Sequence, residues 1–416
     1  MLKAGTLLGG VLAGLGLAMA AGAATTPVGP LFSATSCTTC FEDTPAVAGS
    51  PTGAFLLAWE GTIPASDPKA VTGRFFTLGG APRGADTSLP GVSAPDQYDV
   101  AATTDKAGNY VVVWSSITNG NSEIFARKFQ PTGTPLGPAF LVSQDATGTQ
   151  TIPADSHPAV AATPDGGFVV AWISLLPPSA TFSGTNPTVF ARKLSSTGVP
   201  TGTQVQLSTG LVHGSQPDVC VDSSGGPVVV WTSVDAFRPF QSNLKGVSLR
   251  RLTTAGALTG TAETIVAAPL MGTSKAAVAC GTGGTYLVVW STDIATGGNR
   301  SDILGQRFSR LGRPTGAQFR VNGEVNGDQS SPSVIFDSTT TFTVVWQFDI
   351  GTREGIAGRR FTSAGAAQGA DFEVTGETED TSRPERPDLA AAGKPGRFVV
   401  VWQEGAREIR ARRFQN

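Results

Sequence analysis

Short, continuous runs of apolar residues recur along the chain, each ending in tryptophan and each bounded by Gly, Pro, Ser, Thr or Asp. They read Phe55 to Trp59, Tyr110 to Trp114, Phe168 to Trp172, Pro227 to Trp231, Tyr286 to Trp290, Phe342 to Trp346 and Phe398 to Trp402. All seven tryptophans fall in this pattern. The runs are too short for helices and are rich in β-branched and aromatic residues. They predict strands covered on both faces rather than half-exposed ones.

Three further segments travel with each Trp run. Upstream lies a Pro-led piece, as in Pro45 to Ala48, Pro158 to Ala161, Pro217 to Cys220, Pro332 to Ile335 and Pro387 to Ala390. Downstream comes a strand ending in basic residues and usually Phe, as in Ile124 to Phe129 and Ile409 to Phe414. A Gly/Pro turn and a last apolar piece follow, as in Gly133 to Phe140. Four short strands per unit, repeated seven times, predict an all-β, seven-bladed β-propeller of four-stranded blades. The last unit stops after its third strand. The stretch Pro27 to Phe32 matches Pro135 to Phe140 from a fourth strand. The N-terminal strand is therefore expected to complete the last blade and close the ring, which removes two open sheet edges.

Composition narrows the class. With 52 Gly and 28 Pro, long helices are not expected. Thirty Lys and Arg against 32 Asp and Glu leave no electrostatic footprint for nucleic acid. A short positive start, an apolar small-residue run and A-x-A-like sites from Ala18 to Ala23 predict a secretory signal peptide over 1–24 and a single propeller domain over 25–416. No membrane insertion is expected after cleavage. The protein is read as secreted, extracellular or at the cell surface, with the periplasm as the other compartment. In such an oxidising setting Cys37, Cys40, Cys220 and Cys280 are expected to form two disulfides, with three pairings open.

The repeated Trp and the recurrent Arg (Arg74, Arg127, Arg192, Arg250, Arg359 and Arg412, with Gln306 as the exception) are read as structural, because every blade has them. With strands labelled a to d from the channel outward, the a–b and c–d turns share one face. The longer b–c and d–a loops share the other, where binding is expected. Subtracting the repeat leaves blades 3 and 4. Their loops hold His157, Phe182, His213, Asp235, Phe237, Arg238 and Phe240, a candidate ligand-binding set for a sugar or peptide groove. Other carboxylates on that face include Asp96 and Asp293. No spacing typical of metalloproteases, serine hydrolases or calcium loops is present, so no catalytic residue, metal or cofactor is assigned.

The pattern F-V-V-V-W, I-x-A-R-R-F and G-x-P-x-G-x-x-F resembles repeats of secreted bacterial β-propeller proteins, a group without a single activity. The resemblance implies the architecture and lends no catalytic residues. The expected function is a non-enzymatic binding module whose partner is a polysaccharide or a surface protein. The alternatives are a polysaccharide lyase or glycosidase with its site at the channel mouth, and an architectural subunit of an extracellular assembly. A cluster of His, Arg and acidic groups at that mouth is the feature that favours the enzyme.

Overall fold

The computed structural model describes residues 25–416 outside 38–39, 63–68, 92–95, 119–120, 144–156, 177–185, 209–211, 236–243, 261–263, 268–274, 294–300, 377–382, 406–407 and 416. The expected signal peptide lies outside the described residues. From Thr26 to Gln415 the chain forms seven antiparallel sheets. Blade 2 shows the plan. Strand a (Gln97–Thr104) pairs with b (Tyr110–Thr118), b with c (Asn121–Phe129), and c with the short d (Phe140–Leu141). This is the expected seven-bladed propeller. The described residues contain one short 3₁₀ turn, Thr282–Gly284, and no helix long and apolar enough to cross a membrane.

The core lies between blades. Seven buried clusters each join two successive blades. One packs Tyr110, Val112 and Trp114 of blade 2 on Leu56, Ala58 and Val71 of blade 1. Another closes the circle, with Val399 and Val401 of blade 7 against Phe55 and Trp59 of blade 1. Every tryptophan is at most 2% exposed, so the Trp ring is core, as its repetition implied. The recurrent Arg is also structural. Arg127 donates from Nε to Gly137 O (2.9 Å) and from Nη1 to Leu89 O in the preceding blade (3.1 Å). Arg192 does the same to Gly202 and Val142, and Gln306 reaches the matching carbonyl of Gly316 at 3.2 Å. Each of these side chains ties strand c to its own turn, and the arginines also reach the neighbouring blade.

Closure follows the predicted route. Phe32 pairs with Ala411 in the same register that Phe140 adopts with Ala126, and Thr26 and Pro27 pair with Gln415 and Phe414. At this seam Gly49 is required: a Cβ there would lie 2.0 Å from Ala391 O in blade 7. The cysteines form Cys37–Cys40 and Cys220–Cys280, with none free. The first lies in the segment that leads from the closing strand into blade 1. The second joins the innermost strands of blades 4 and 5.

One local expectation changes. His213 and Asp235 were read as loop residues, but the a–b hairpin of blade 4 extends past a bulge between Ser215 and Asp218. It pairs His213 with Val234, and Val212 with Asp235. Pairing across the hairpin outweighs the polar, Gly-containing local sequence that suggested a loop.

Candidate functional site at the channel mouth

Strand a begins with a recurring irregularity. The a–b ladder slips between Asp43 and Ala46, Tyr98 and Ala101, Ser330 and Ser333, and Glu385 and Asp388, as it does in blade 4. At the slip stand Thr44, Asp99, Gln216, Ser331 and Arg386, with φ between 43° and 52°. His157 (φ 42°) holds the same place in blade 3, and Lys275 holds it in blade 5. Non-glycine residues in the left-handed region cost on the order of 1–3 kcal/mol each and concentrate at functional sites. A bulge also re-aims the side chain it carries. The result is one repeat position with seven different polar side chains, one per blade.

Residues of strand a from all seven blades line a cavity of about 480 Å³, and among the described residues no Phe, Tyr or Trp lines it. Its wall carries five carboxylates, Asp43, Glu60, Asp99, Asp218 and Asp388, against Lys69, Lys275 and Arg386. The first arc of the wall is tied by charge. Arg386 Nη1 meets Asp43 Oδ1 at 2.6 Å, and Lys69 Nζ meets Glu60 Oε1 at 2.7 Å. Asp99 N donates to Glu60 Oε2 (2.9 Å), and His157 N donates to Asp99 Oδ2 (3.1 Å). His157 Nδ1 lies 3.2 Å from Asp99 Oδ1. An ionised carboxylate only accepts, so in this contact Nδ1 is the donor.

On the other arc, carboxylates clasp the next blade. Val278 N donates to Asp218 Oδ2 (2.8 Å), and Val47 N donates to Asp388 Oδ2 (3.0 Å). Burial pushes the Asp218 carboxyl up to about 6, against the Val278 and Val219 N–H groups and the Lys275 charge, and burial also raises Asp388. Both residues retain partial exposure, which faces the enclosed channel. Lys275 makes no ion pair within 4 Å among the described residues and stands beside these two acids.

Of the residues expected from sequence, His157 lines this cavity. His213 and Asp235 are placed in strands of blade 4, and Phe182, Phe237, Arg238 and Phe240 lie outside the described residues. Asp96 stands behind the wall, where its Oδ1 accepts from Lys69 N (3.3 Å). The sequence reading missed Asp43, Glu60, Lys69, Asp99, Lys275, Arg386 and the two deep aspartates. A proline marks the place after Arg386, as it does after Thr44, His157, Gln216 and Ser331, but Val100 and Ala276 follow Asp99 and Lys275, so no shared sequence signal picks out the missed set.

No family model matches the chain, and no curated protein matches it. Solved structures share its fold. An α-L-arabinanase from Penicillium chrysogenum, complexed with arabinobiose, is 12% identical, with a TM-score of 0.53 over 94% of this chain and 98% of that one. An ulvan lyase is 10% identical, with a TM-score of 0.55 over 79% and 80%. A Hadza microbial sialidase is 10% identical, with a TM-score of 0.50 over 86% and 73%. At these identities the likeness shows the fold alone.

Proposed function

We propose that the protein is a carbohydrate-binding propeller that takes the end of a saccharide chain into the channel mouth. The observation that carries this reading is the cup itself, walled by hydrogen-bonding side chains from all seven blades. Hydroxyl-rich ligands match such a wall, since carboxylates accept from sugar hydroxyls while Lys and Arg donate to them. With acids outnumbering Lys and Arg, and Arg386 and Lys69 already paired, the wall favours a neutral sugar over a uronate. The arabinanase, the ulvan lyase and the sialidase, named for saccharide substrates, support the ligand class. The two disulfides fit an extracellular setting, and we read the repeat as the secreted bacterial type on its residue pattern alone.

Catalysis is the second reading, favoured by the His157–Asp99 pair. That pair has the form of an oriented base, and Asp218 near 6 is a carboxyl able to hold a proton near neutrality. A glycan array on the mature protein tests binding, followed by titration of the best hit. Lys275→Ala and His157→Ala are expected to weaken binding by about tenfold each, as loss of a hydrogen bond to a charged group implies. Phe237→Ala/Phe240→Ala should leave it unchanged. Loss only in the phenylalanine pair moves the site to the blade 4 loop, and no glycan binding overturns the reading. Incubation of each hit with the protein then separates the two readings. New reducing ends mean hydrolysis, and ultraviolet absorbance of an unsaturated uronate means elimination.

A further inference from the structure

A second cavity lies on the opposite face, at the ring-closing seam, and its lining departs from the repeat. In blades 2 to 7 the recurrent Arg or Gln306 is followed by a second basic residue. In three blades that residue pairs with an aspartate of its own a–b turn. These pairs are Lys128–Asp105 (3.3 Å), Lys193–Asp165 (2.7 Å) and Arg360–Asp337 (3.2 Å). In blade 7 the basic residue is Arg413, and the place of Asp105 and Asp337 is taken by Ala392. Arg413 donates from Nη1 to Leu78 O of blade 1 (2.8 Å). Its Nε is buried without a hydrogen-bond partner, and it makes no ion pair among the described residues.

Blade 7 differs a second time. Arg397 opens its strand b, where blades 2 to 5 have Asn109, Gly167, Gly226 and Thr285. It donates from Nε to Gln415 Oε1 (3.1 Å) and likewise forms no ion pair among the described residues. Burial and the Arg397 charge together pull Arg413 below the usual arginine range. Arg397 and Arg413 both line a cavity of about 230 Å³ whose other walls are largely apolar, with Val28, Phe55, Leu78, Phe398 and Phe414 among them. Among the described residues no acidic one lines it.

We propose that this seam cavity binds a small aliphatic carboxylate, its head on Arg413 and Arg397 and its chain against the phenylalanines and Leu78. An inorganic anion leaves the apolar walls wet, and a neutral hydrocarbon leaves two cations unanswered. The volume, below the usual range for ligand pockets, suits a short chain rather than a polymer. Guanidinium meets carboxylate with paired donors, which fixes the head. The site is independent of the saccharide reading, because it lies on the other face and shares no residue with the channel mouth.

The test is calorimetric titration of the mature, full-length protein with octanoate, acetate and 1-octanol. Octanoate is expected to saturate one site, with acetate and octanol at least about tenfold weaker. Arg397→Gln should weaken octanoate by about tenfold with the melting temperature unchanged. Ala392→Asp restores the repeat's own acid beside Arg413, so it should abolish octanoate binding while the ring stays at least as stable. Absence of saturation overturns the proposal. Equal binding of octanol and octanoate, or wild-type octanoate binding in both variants, overturns it as well.

Discussion

Glu42 shows what burial does to a single carboxyl in this ring. It is 2% exposed, and one of its oxygens has no hydrogen-bond partner. Burial raises its pKa from 4.5 to about 7, helped by the charges of Asp86 and Glu408, while hydrogen bonds from Thr35 and the Ile409 main chain only partly offset this. Between those two values the folded chain keeps a proton that the unfolded chain has lost, so stability falls as pH rises from about 4.5 to 7 and is level above that. The drop from this one group is on the order of 3 kcal/mol. Glu42→Gln removes the titration. Denaturant melts should show the variant close to wild type at pH 4 and increasingly more stable than it towards pH 8. A constant difference across that range would refute the account. Asp165 is held down to about 2, first by its hydrogen bond from Lys193, so its contribution is lost only in stronger acid.

At the scale of strands and links, two connections hold the ring. The closing segment fills the outer positions of blade 7 with Thr26–Pro27 and Phe32–Ser33. Deletion of residues 25–33 leaves strand c of that blade as an open edge and exposes the Phe398–Phe414 stack (centroids 5.1 Å). A clear fall in melting temperature and a rise in aggregation are expected, and an unchanged melting temperature would refute closure as a source of stability. Cys220 and Cys280, 60 residues apart, constrain the unfolded chain, and Cys220→Ser/Cys280→Ser should cost up to about 4 kcal/mol in chemical denaturation. The strands were legible in the sequence because Trp59, Trp114 and their five counterparts mark one place in a repeating unit. Phe32 was legible because it copies Phe140. The channel-mouth site was not legible for the opposite reason. Thr44, Asp99, His157, Gln216, Lys275, Ser331 and Arg386 share a backbone position and no chemistry, so subtracting the repeat did not group them. Their meeting depends on the curvature of the whole ring.

At the scale of the whole molecule the two faces carry different chemistry. The face of the long loops opens onto a polar cup with paired charges, and the short-turn face carries an apolar seam with two arginines that have no acidic partner among the described residues. Both sites depend on the ring being closed, since each gathers residues from blades 7 and 1. Variants that weaken the seam, such as Gly49→Val, are therefore expected to impair ligand binding on both faces together. Parallel titrations of a saccharide hit and of octanoate check this, and selective loss of one would show the faces to be independent of closure.

The bond from Thr26 Oγ1 to Gln415 O spans 389 residues of chain, and that separation sets an order in time. The strand that seals the ring is made before the blades it closes, and its partner is made after them. During synthesis each blade acquires its neighbour as it emerges, yet the opening strand waits with its hydrogen-bonding groups unmet until the final strand is released. Joining ends so far apart is slow rather than thermodynamically prohibitive, because the entropy of closing a loop grows only with the logarithm of its length. Until that partner strand is made, the ring has two open sheet edges.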